Sequence, residues 1–456
     1  MVVLAANPRG WARLCRLVSA THAVGERGVP VCSRELVAEH AGDGDVVVML
    51  GSDSVLGEQV ARRDRLAAIA ELHRWIEVMG YENLIVAATN HQCRAERTTG
   101  LAPGSAAHAG AMVQLADELG VGAVLTNQVR MAHRHQAPTC DVLDASRRLV
   151  PLDLRNVDRR NAEGWLKPGK AMIEVAAQVA DQSGRRGGEA GAERLFADTR
   201  ALALRCQLDP REDIGLGKVH LPEFETLGTT ASEAMGVLRA RCEAGVNARW
   251  CADELPLVQQ RLDDELAVIE QLGFASYFLT VANVVDLVRD MGVRCAARGS
   301  GAGSLVNHLL GISGVDPIRH GLMMERFLSP LRRALPDIDL DVESARRPEV
   351  YQKIFETFGT DRVACVAMIE TYRVRHAVRD VGAALGMPPG EIDTIAKAFP
   401  HIAARDARQA LRDLPELRAA GLGERRLDIF FELVESLDGL PRHVAMHPCG
   451  AVSYTH

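Results

Sequence analysis

No apolar run in this sequence approaches the ~18 residues needed to cross a bilayer, which argues against a membrane-spanning chain. The opening Met-Val-Val-Leu-Ala-Ala-Asn-Pro-Arg has no basic stretch followed by a long apolar core, so no secretory leader is expected and a cytoplasmic location is the default. Cysteines stand at Cys15, Cys32, Cys93, Cys140, Cys206, Cys242, Cys251, Cys295, Cys365 and Cys449, with no pair at C-x-x-C spacing. That argues against a zinc ribbon, and nothing suggests a disulfide framework in a chain this long. We read them as buried or incidental thiols. Lysine is scarce: Lys167, Lys170, Lys218, Lys353 and Lys397 are the only ones among 53 basic residues. Arginine suits bidentate phosphate contacts, although G+C-rich coding accounts for most of the bias. The formal net charge of −7 argues against a uniformly positive surface but leaves room for a basic groove.

The 456 residues are too many for one ordinary domain and suggest two to four. A hydrophobic share of 47% with 25% charged residues is that of a soluble globular protein. Residues 1 to about 205 alternate short apolar strands with helices, the pattern of an α/β domain. The strands expected are Asp45–Leu50, Leu84–Ala88 and Ala123–Thr126, and the helices include Asp64–Met79 and Ala107–Leu119. Asp181–Glu193 is Gly-rich and polar and reads as a surface loop or linker. A second unit runs from about 207 to 368, with a helix at Leu257–Leu272 and an aromatic-apolar segment at Phe274–Val284. Residues 369 to 446 read as mostly helical, with strong periodicity at Ile392–Phe399 and Arg425–Leu437, and there is no internal repeat.

Arg298–Ser304 reads Arg-Gly-Ser-Gly-Ala-Gly-Ser and leads into the apolar Leu305–Leu310. Three glycines let the backbone turn tightly and approach a ligand, and a following helix would offer free N–H groups and a positive dipole end. Ser300 and Ser304 add hydroxyls, and Arg298 adds a forked cation. The segment is neither a Walker loop nor a dinucleotide fingerprint, and taken alone it reads more readily as a plain flexible loop.

Pro336–Asp341 alternates acid and aliphatic residues. On a strand Asp337, Asp339 and Asp341 share one face, with backbone positions about 6–7 Å apart, while Ile338 and Leu340 point to the other. Clustered carboxylates repel unless a cation lies between them, and Mg²⁺ fits that role beside phosphates. Two such ions assist an in-line phosphoryl displacement. An acidic turn or an exposed edge strand is the plainer alternative. Aspartate is disfavoured in strands, however, so three at alternate positions ask for a cause.

Taken in order, Gly273–Leu279, Arg298–Leu310, Asp316-Pro317, Glu325–Leu328, Pro336–Asp341, Tyr372–Gly386 and Arg442–Gly450 resemble the palm region of bacterial C-family DNA polymerases, the polymerase III α subunits. The likeness leans to their error-prone, DNA-damage-associated branch. It implies a multidomain α/β architecture: a partial polymerase-and-histidinol-phosphatase (PHP) domain over 1–206, a polymerase-β-like palm over 207–368 and a helical thumb over 369–446. A palm return would begin at 447–456. It implies template-directed nucleotidyl transfer with Mg²⁺, deoxynucleoside triphosphates and primer–template DNA, alongside other damage-tolerance proteins and a sliding clamp, and no membrane. On that pattern Asp337 and Asp339 would be catalytic and ligate two Mg²⁺ ions, and Asp341 would match the third acid of the motif. Arg298, Gly299, Ser300, Gly301, Ser304 and Arg326 would hold the triphosphate, and Arg375 and Arg379 would contact DNA phosphates.

Two features of the family are not matched. Its PHP domain opens with a His-x-His strand that this sequence lacks, so His91, His108, His133 and His135 are not assigned to a metal. Its palm is completed by a further aspartate on a later strand, and nothing before Tyr454-Thr455-His456 matches it. We therefore expect an incomplete polymerase chain. A non-catalytic DNA- or nucleotide-binding fragment is the alternative, and a metal-dependent phosphoesterase a more distant one.

Overall fold

A computed structural model describes the chain except residues 27, 43, 95–99, 185–187, 248, 330–334, 361, 414–426 and 454–456. Arg425 and Tyr454–His456, both invoked above, lie outside the described residues. The fold is mixed α/β and consists of two compact units. One comprises Met1–Leu216 with Thr371–Arg442; the other comprises Gly217–Glu370 with His443–His456.

The first unit is built on a four-stranded sheet in the order β1 (Val2–Ala5), β2 (Val46–Leu50), β3 (Leu84–Ala88), β4 (Gly122–Leu125). The strands β2, β3 and β4 run parallel, and β1 pairs antiparallel on the edge of β2. Val46, Val47, Val48 and Leu50 are all buried, as a strand covered on both faces requires. The helices α1 (Pro8–Val24) and α2 (Arg34–Ala41) follow β1. Next come α3 (Val55–Ala61) and α4 (Arg65–Met79) as the crossover to β3, and α5 (Ala106–Leu119) as the crossover to β4. Side chains set their starts: Asp64 accepts from the Ala67 N–H and Ser105 from the His108 N–H. The three expected strands and two expected helices are present to within a residue at each end. The strand β1 was not foreseen, because four residues before a proline carry too little periodicity.

After α6 (Ala137–Arg148) come α7 (Gly169–Gln182) and α8 (Gly188–Arg205). These two helices take up Asp181–Gln182 and Gly188–Glu193 and so shorten the loop or linker expected over Asp181–Glu193, of which residues 185–187 lie outside the described residues. The helix α8 packs on β4 and α7 packs on α5 and α8, with Ala192 and Leu195 buried in the same core, so tertiary burial overrides a glycine-rich composition.

The second unit packs α9 (Ala234–Asn247), α10 (Leu255–Leu272) and α11 (Ala275–Asp290) around Leu262, Leu266, Ile269, Phe278 and Leu279. Gly273, at φ +72°, ends α10 in the left-handed conformation, and the chain bends 114° into α11. A short antiparallel pair follows, β5 (Cys295–Arg298) with β6 (Asp339–Val342), and between them in sequence lies α12 (Leu305–Leu309). Beyond β6 come α13 (Arg347–Phe358) and β7 (Val363–Thr371).

The helices α14 (Val374–Ala384), α15 (Pro389–Ala398), α16 (Ala407–Asp413) and α17 (Asp428–Ser436) belong to the first unit. Phe399, Phe430, Phe431 and Val378 form their core, which also takes in Val142 and Ala145 of α6. The strand β8 (Pro441–Ser453) pairs with β7. Among the described residues, no single helix is long and apolar enough to cross a membrane.

Candidate functional site

The predicted acidic segment and glycine-rich loop meet in the second unit. The ladder sets the register: Arg298 stands opposite Asp339, Ala297 opposite Leu340 and Ala296 opposite Asp341. Leu340 and Ile338 pack toward the core, so Asp339 and Asp341 share the open face with Arg298. The Arg298 Nε donates to Asp341 Oδ2 at 3.1 Å, and its Nη2 lies 3.7 Å from Asp339 Oδ2. This hydrogen bond, with the charges of Asp341 and Asp339, raises the guanidinium pKa further.

Asp337 departs from the expectation. The strand β6 begins at Asp339, two residues later than the alternation suggested. The backbone of Asp337 pairs with the glycine-rich loop instead of a strand partner. Its N–H donates to Ser300 Oγ at 3.2 Å, and its carbonyl accepts from the Gly301 N–H at 2.8 Å. The approach is close enough to require glycine. At Gly299, φ is +88° and a Cβ would sit 2.6 Å from the Asp337 carbonyl oxygen; at Gly301 it would meet Ile338 Cγ1 at 2.6 Å. Tyr277 fixes the chain just upstream, its hydroxyl donating to the Pro336 carbonyl at 2.8 Å. Burial, with Asp337 and Asp339 nearby, pushes its phenol up to about 12.

The far end of the loop is closed from inside. Ser304 is buried; its hydroxyl caps α12 by accepting from the Asn307 N–H and donates to Glu265 at 2.7 Å. Glu265 also accepts from the Leu305 and Val306 N–H groups. The expected free N–H groups at this helix start are therefore occupied by the protein's own carboxylate, which corrects the picture of an open helix terminus.

A cleft of about 330 Å³ opens beside the loop, lined by Ser300, Gly303, Gly321, Leu322, Met323, Arg326 and Phe327. It brings Ser300 and Arg326 together from segments more than twenty residues apart in the chain. Asp316 holds the turn that follows it by accepting from the Ile318 and Arg319 N–H groups. Among the described residues, no three His, Cys, Asp or Glu side chains converge tightly enough to make a metal cluster.

The remaining candidates lie in the other unit. On α14, Arg375 Nε donates to the Phe399 carbonyl at 2.8 Å and Arg379 pairs with Asp393 at 3.3 Å. His91 and His108 each place Nε2 against a backbone carbonyl, of Asn127 at 2.8 Å and Gly57 at 2.9 Å, and burial pushes both toward the neutral form. His133 and His135 stack on each other.

Sequence reasoning passed over Glu265 and Tyr277. Glu265 falls on the apolar stripe of α10 with Leu262, Leu266 and Ile269, a position where an acid signals a buried partner. That pattern cannot say which partner.

Residues 236–456 match the family described as the bacterial DNA polymerase III alpha NTPase domain. This part of the chain belongs to the bacterial DNA polymerase III alpha family. The likeness to curated relatives covers nearly the whole chain. It is 32% identical over 455 residues to the error-prone DNA polymerase of Cutibacterium acnes, covering 99% of this chain and 36% of that protein. It is 30% identical to that of Symbiobacterium thermophilum over 459 residues, and 31% identical to that of Methylococcus capsulatus over 456. Each of these two matches covers 99% of this chain, and 40% and 39% of the relative. The chain thus spans about two fifths of the length of these relatives.

Proposed function

We propose that this chain carries part of the nucleotidyl-transfer site of an error-prone, DNA-directed DNA polymerase acting in damage-associated synthesis. One observation carries the reading: the glycine-rich loop and the acidic segment are bonded together at Asp337, and Arg298 lies over Asp341 and Asp339. In this reading residues 1–206 are a PHP-type domain, 207–368 the first part of a palm, 369–446 a thumb and 447–456 the start of the palm return. Gly299, Ser300 and Gly301 shape the seat for the triphosphate, with Ser304 anchoring its far end, and Arg298 and Arg326 offset its charge. Asp337 and Asp339 hold Mg²⁺, with Asp341 beside them. The donor set fits that ion: hard carboxylate oxygens, open to solvent, already facing a cation in Arg298. Bound there, Mg²⁺ would stabilise the attacking and leaving oxygens of an in-line displacement.

For primer–template DNA, Arg375 and Arg379 offer a basic face of α14. The Arg379–Asp393 pair is about half exposed on both sides, so exchanging it for a phosphate costs little. A sliding clamp and other damage-tolerance proteins are partners of the same reading.

A second reading is a non-catalytic nucleotide- or DNA-binding fragment, favoured by the lack of a three-ligand cluster among the described residues. Primer extension separates the two. The purified chain is given Mg²⁺ and four deoxynucleoside triphosphates, beside an Asp337→Ala/Asp339→Ala variant. Extension that the variant loses supports the polymerase. Binding of triphosphate or of primer–template DNA, measured on the same chain, without extension supports the second reading, and neither form of binding with no extension removes both.

A further inference from the structure

Glu265 has no exposed surface, and its two oxygens together accept four hydrogen bonds. Oε2 takes the Ser304 hydroxyl at 2.7 Å and the Val306 N–H at 3.1 Å. Oε1 takes the Leu305 N–H at 3.0 Å and Arg261 Nε at 2.9 Å. Arg261 then reaches the other way, its Nη2 donating to the Leu322 carbonyl at 3.1 Å. Ser304 ends the segment that forms one wall of the cleft with Ser300 and Gly303, and Leu322 belongs to the opposite wall with Arg326. One ion pair on α10, its carboxylate buried and its guanidinium half-buried, therefore ties the segment just beyond one wall to the backbone of the other.

A simple cap does not explain this arrangement. Ser304 already caps α12, a helix of five residues. A buried carboxylate is costly to desolvate and is tolerated only when fully hydrogen-bonded. We propose that Glu265 and Arg261 are positioning residues that fix the spacing between the glycine-rich loop and the Leu322–Arg326 wall. As a consequence, and resting on the reading of this cleft as a triphosphate seat, they hold Ser300 and Arg326 at the separation the ligand needs. Neither residue touches the ligand.

Gln is nearly isosteric with Glu but has one acceptor oxygen, and its NH₂ would face two of the four donors. Hydrogen exchange and binding of a deoxynucleoside triphosphate with Mg²⁺ are measured on the full chain for wild type, Glu265→Gln and Arg261→Gln. In Glu265→Gln, exchange at amides 301–307 and 320–327 should rise about tenfold or more while the cores of α10 and α11 stay protected, because only the local tether is lost. Triphosphate affinity should fall about tenfold. Arg261→Gln should loosen 320–327 more than 301–307, and it carries the test if Glu265→Gln fails to fold. Wild-type exchange in both walls, or acceleration spread evenly over Gly217–Glu370, would overturn the proposal. A wild-type chain that binds no triphosphate would remove the reading of the cleft, and the exchange pattern alone would then decide the role of the pair.

Discussion

Arg298 stands directly opposite Asp339 in the β5–β6 ladder, yet its shorter contact is diagonal, 3.1 Å to Asp341 against 3.7 Å to Asp339. One guanidinium thus covers Asp339, a proposed ligand of the divalent cation, together with the neighbouring Asp341. Arginine and metal compete for the same oxygens. Arg298→Gln should therefore bind Mn²⁺ or Mg²⁺ several-fold more tightly in the absence of nucleotide, measured by titration calorimetry or Mn²⁺ resonance. It should bind the triphosphate more weakly, because a phosphate partner is lost. Unchanged or weaker metal binding would mean that Arg298 does not guard these carboxylates.

Gly299 and Gly303 give a contrast within one loop. At Gly299 a side chain meets both a left-handed backbone, φ +88°, and the Asp337 carbonyl oxygen at 2.6 Å. Gly299→Ala should cost ~1–3 kcal/mol in urea denaturation and abolish triphosphate binding. At Gly303 a Cβ would meet only the Leu322 side chain at 3.4 Å, an ordinary contact, so Gly303→Ala should leave stability nearly unchanged. Equal costs at the two positions would contradict the close approach described.

The sheet strands and the amphipathic helices of the first unit were legible, because Val46–Leu50 and Leu84–Ala88 are short apolar runs and Asp64 and Ser105 announce the helices behind them. The loop and acidic segment were also legible as a pair, since their residue types are unusual for their setting. The bonds between them were not. Alternation placed Asp337 on a strand, whereas its N–H and carbonyl are bonded to Ser300 and Gly301, and only the path of the chain in three dimensions decides that. The closure of the loop by Glu265 was hidden for the same reason: its donors lie about forty residues away in sequence.

In the first unit, Asp380 links two elements. It accepts from the Tyr372 hydroxyl at 3.0 Å and from Arg442 Nε at 2.9 Å. Its side chain is mostly buried, so removing the acceptor leaves polar groups short of a partner. Asp380→Asn should destabilise the protein by ~1–3 kcal/mol, and Tyr372→Phe by about 0.5–1.5 kcal/mol. Urea denaturation of both variants, followed by circular dichroism, checks the ranking. A Tyr372→Phe cost as large as that of Asp380→Asn would place the stabilisation on the tyrosine rather than on the carboxylate.

Cys242 should make the second unit sensitive to alkali. The thiol is buried on α9, and burial, aided by the Glu265 charge, pushes its pKa from an ordinary 9.0 to about 12. Arg241 and Arg239 oppose that shift, and Glu243 adds to it. The sign follows from the order of the two values. Below about pH 9 the thiol keeps its proton in both the folded and the unfolded chain, so the group contributes its full stability. Above that the unfolded thiol ionises while the buried one does not, and stability falls as pH rises toward about 12, at up to ~1.4 kcal/mol per pH unit. Other half-buried thiols, such as Cys295, add to the same slope. Cys242→Ala lowers stability at neutral pH by leaving a small cavity, but it should make the decline above about pH 9 shallower by the share of one proton. Urea denaturation of both proteins across this range reads the two slopes directly. Parallel slopes would show that the Cys242 thiol is not held protonated by its surroundings.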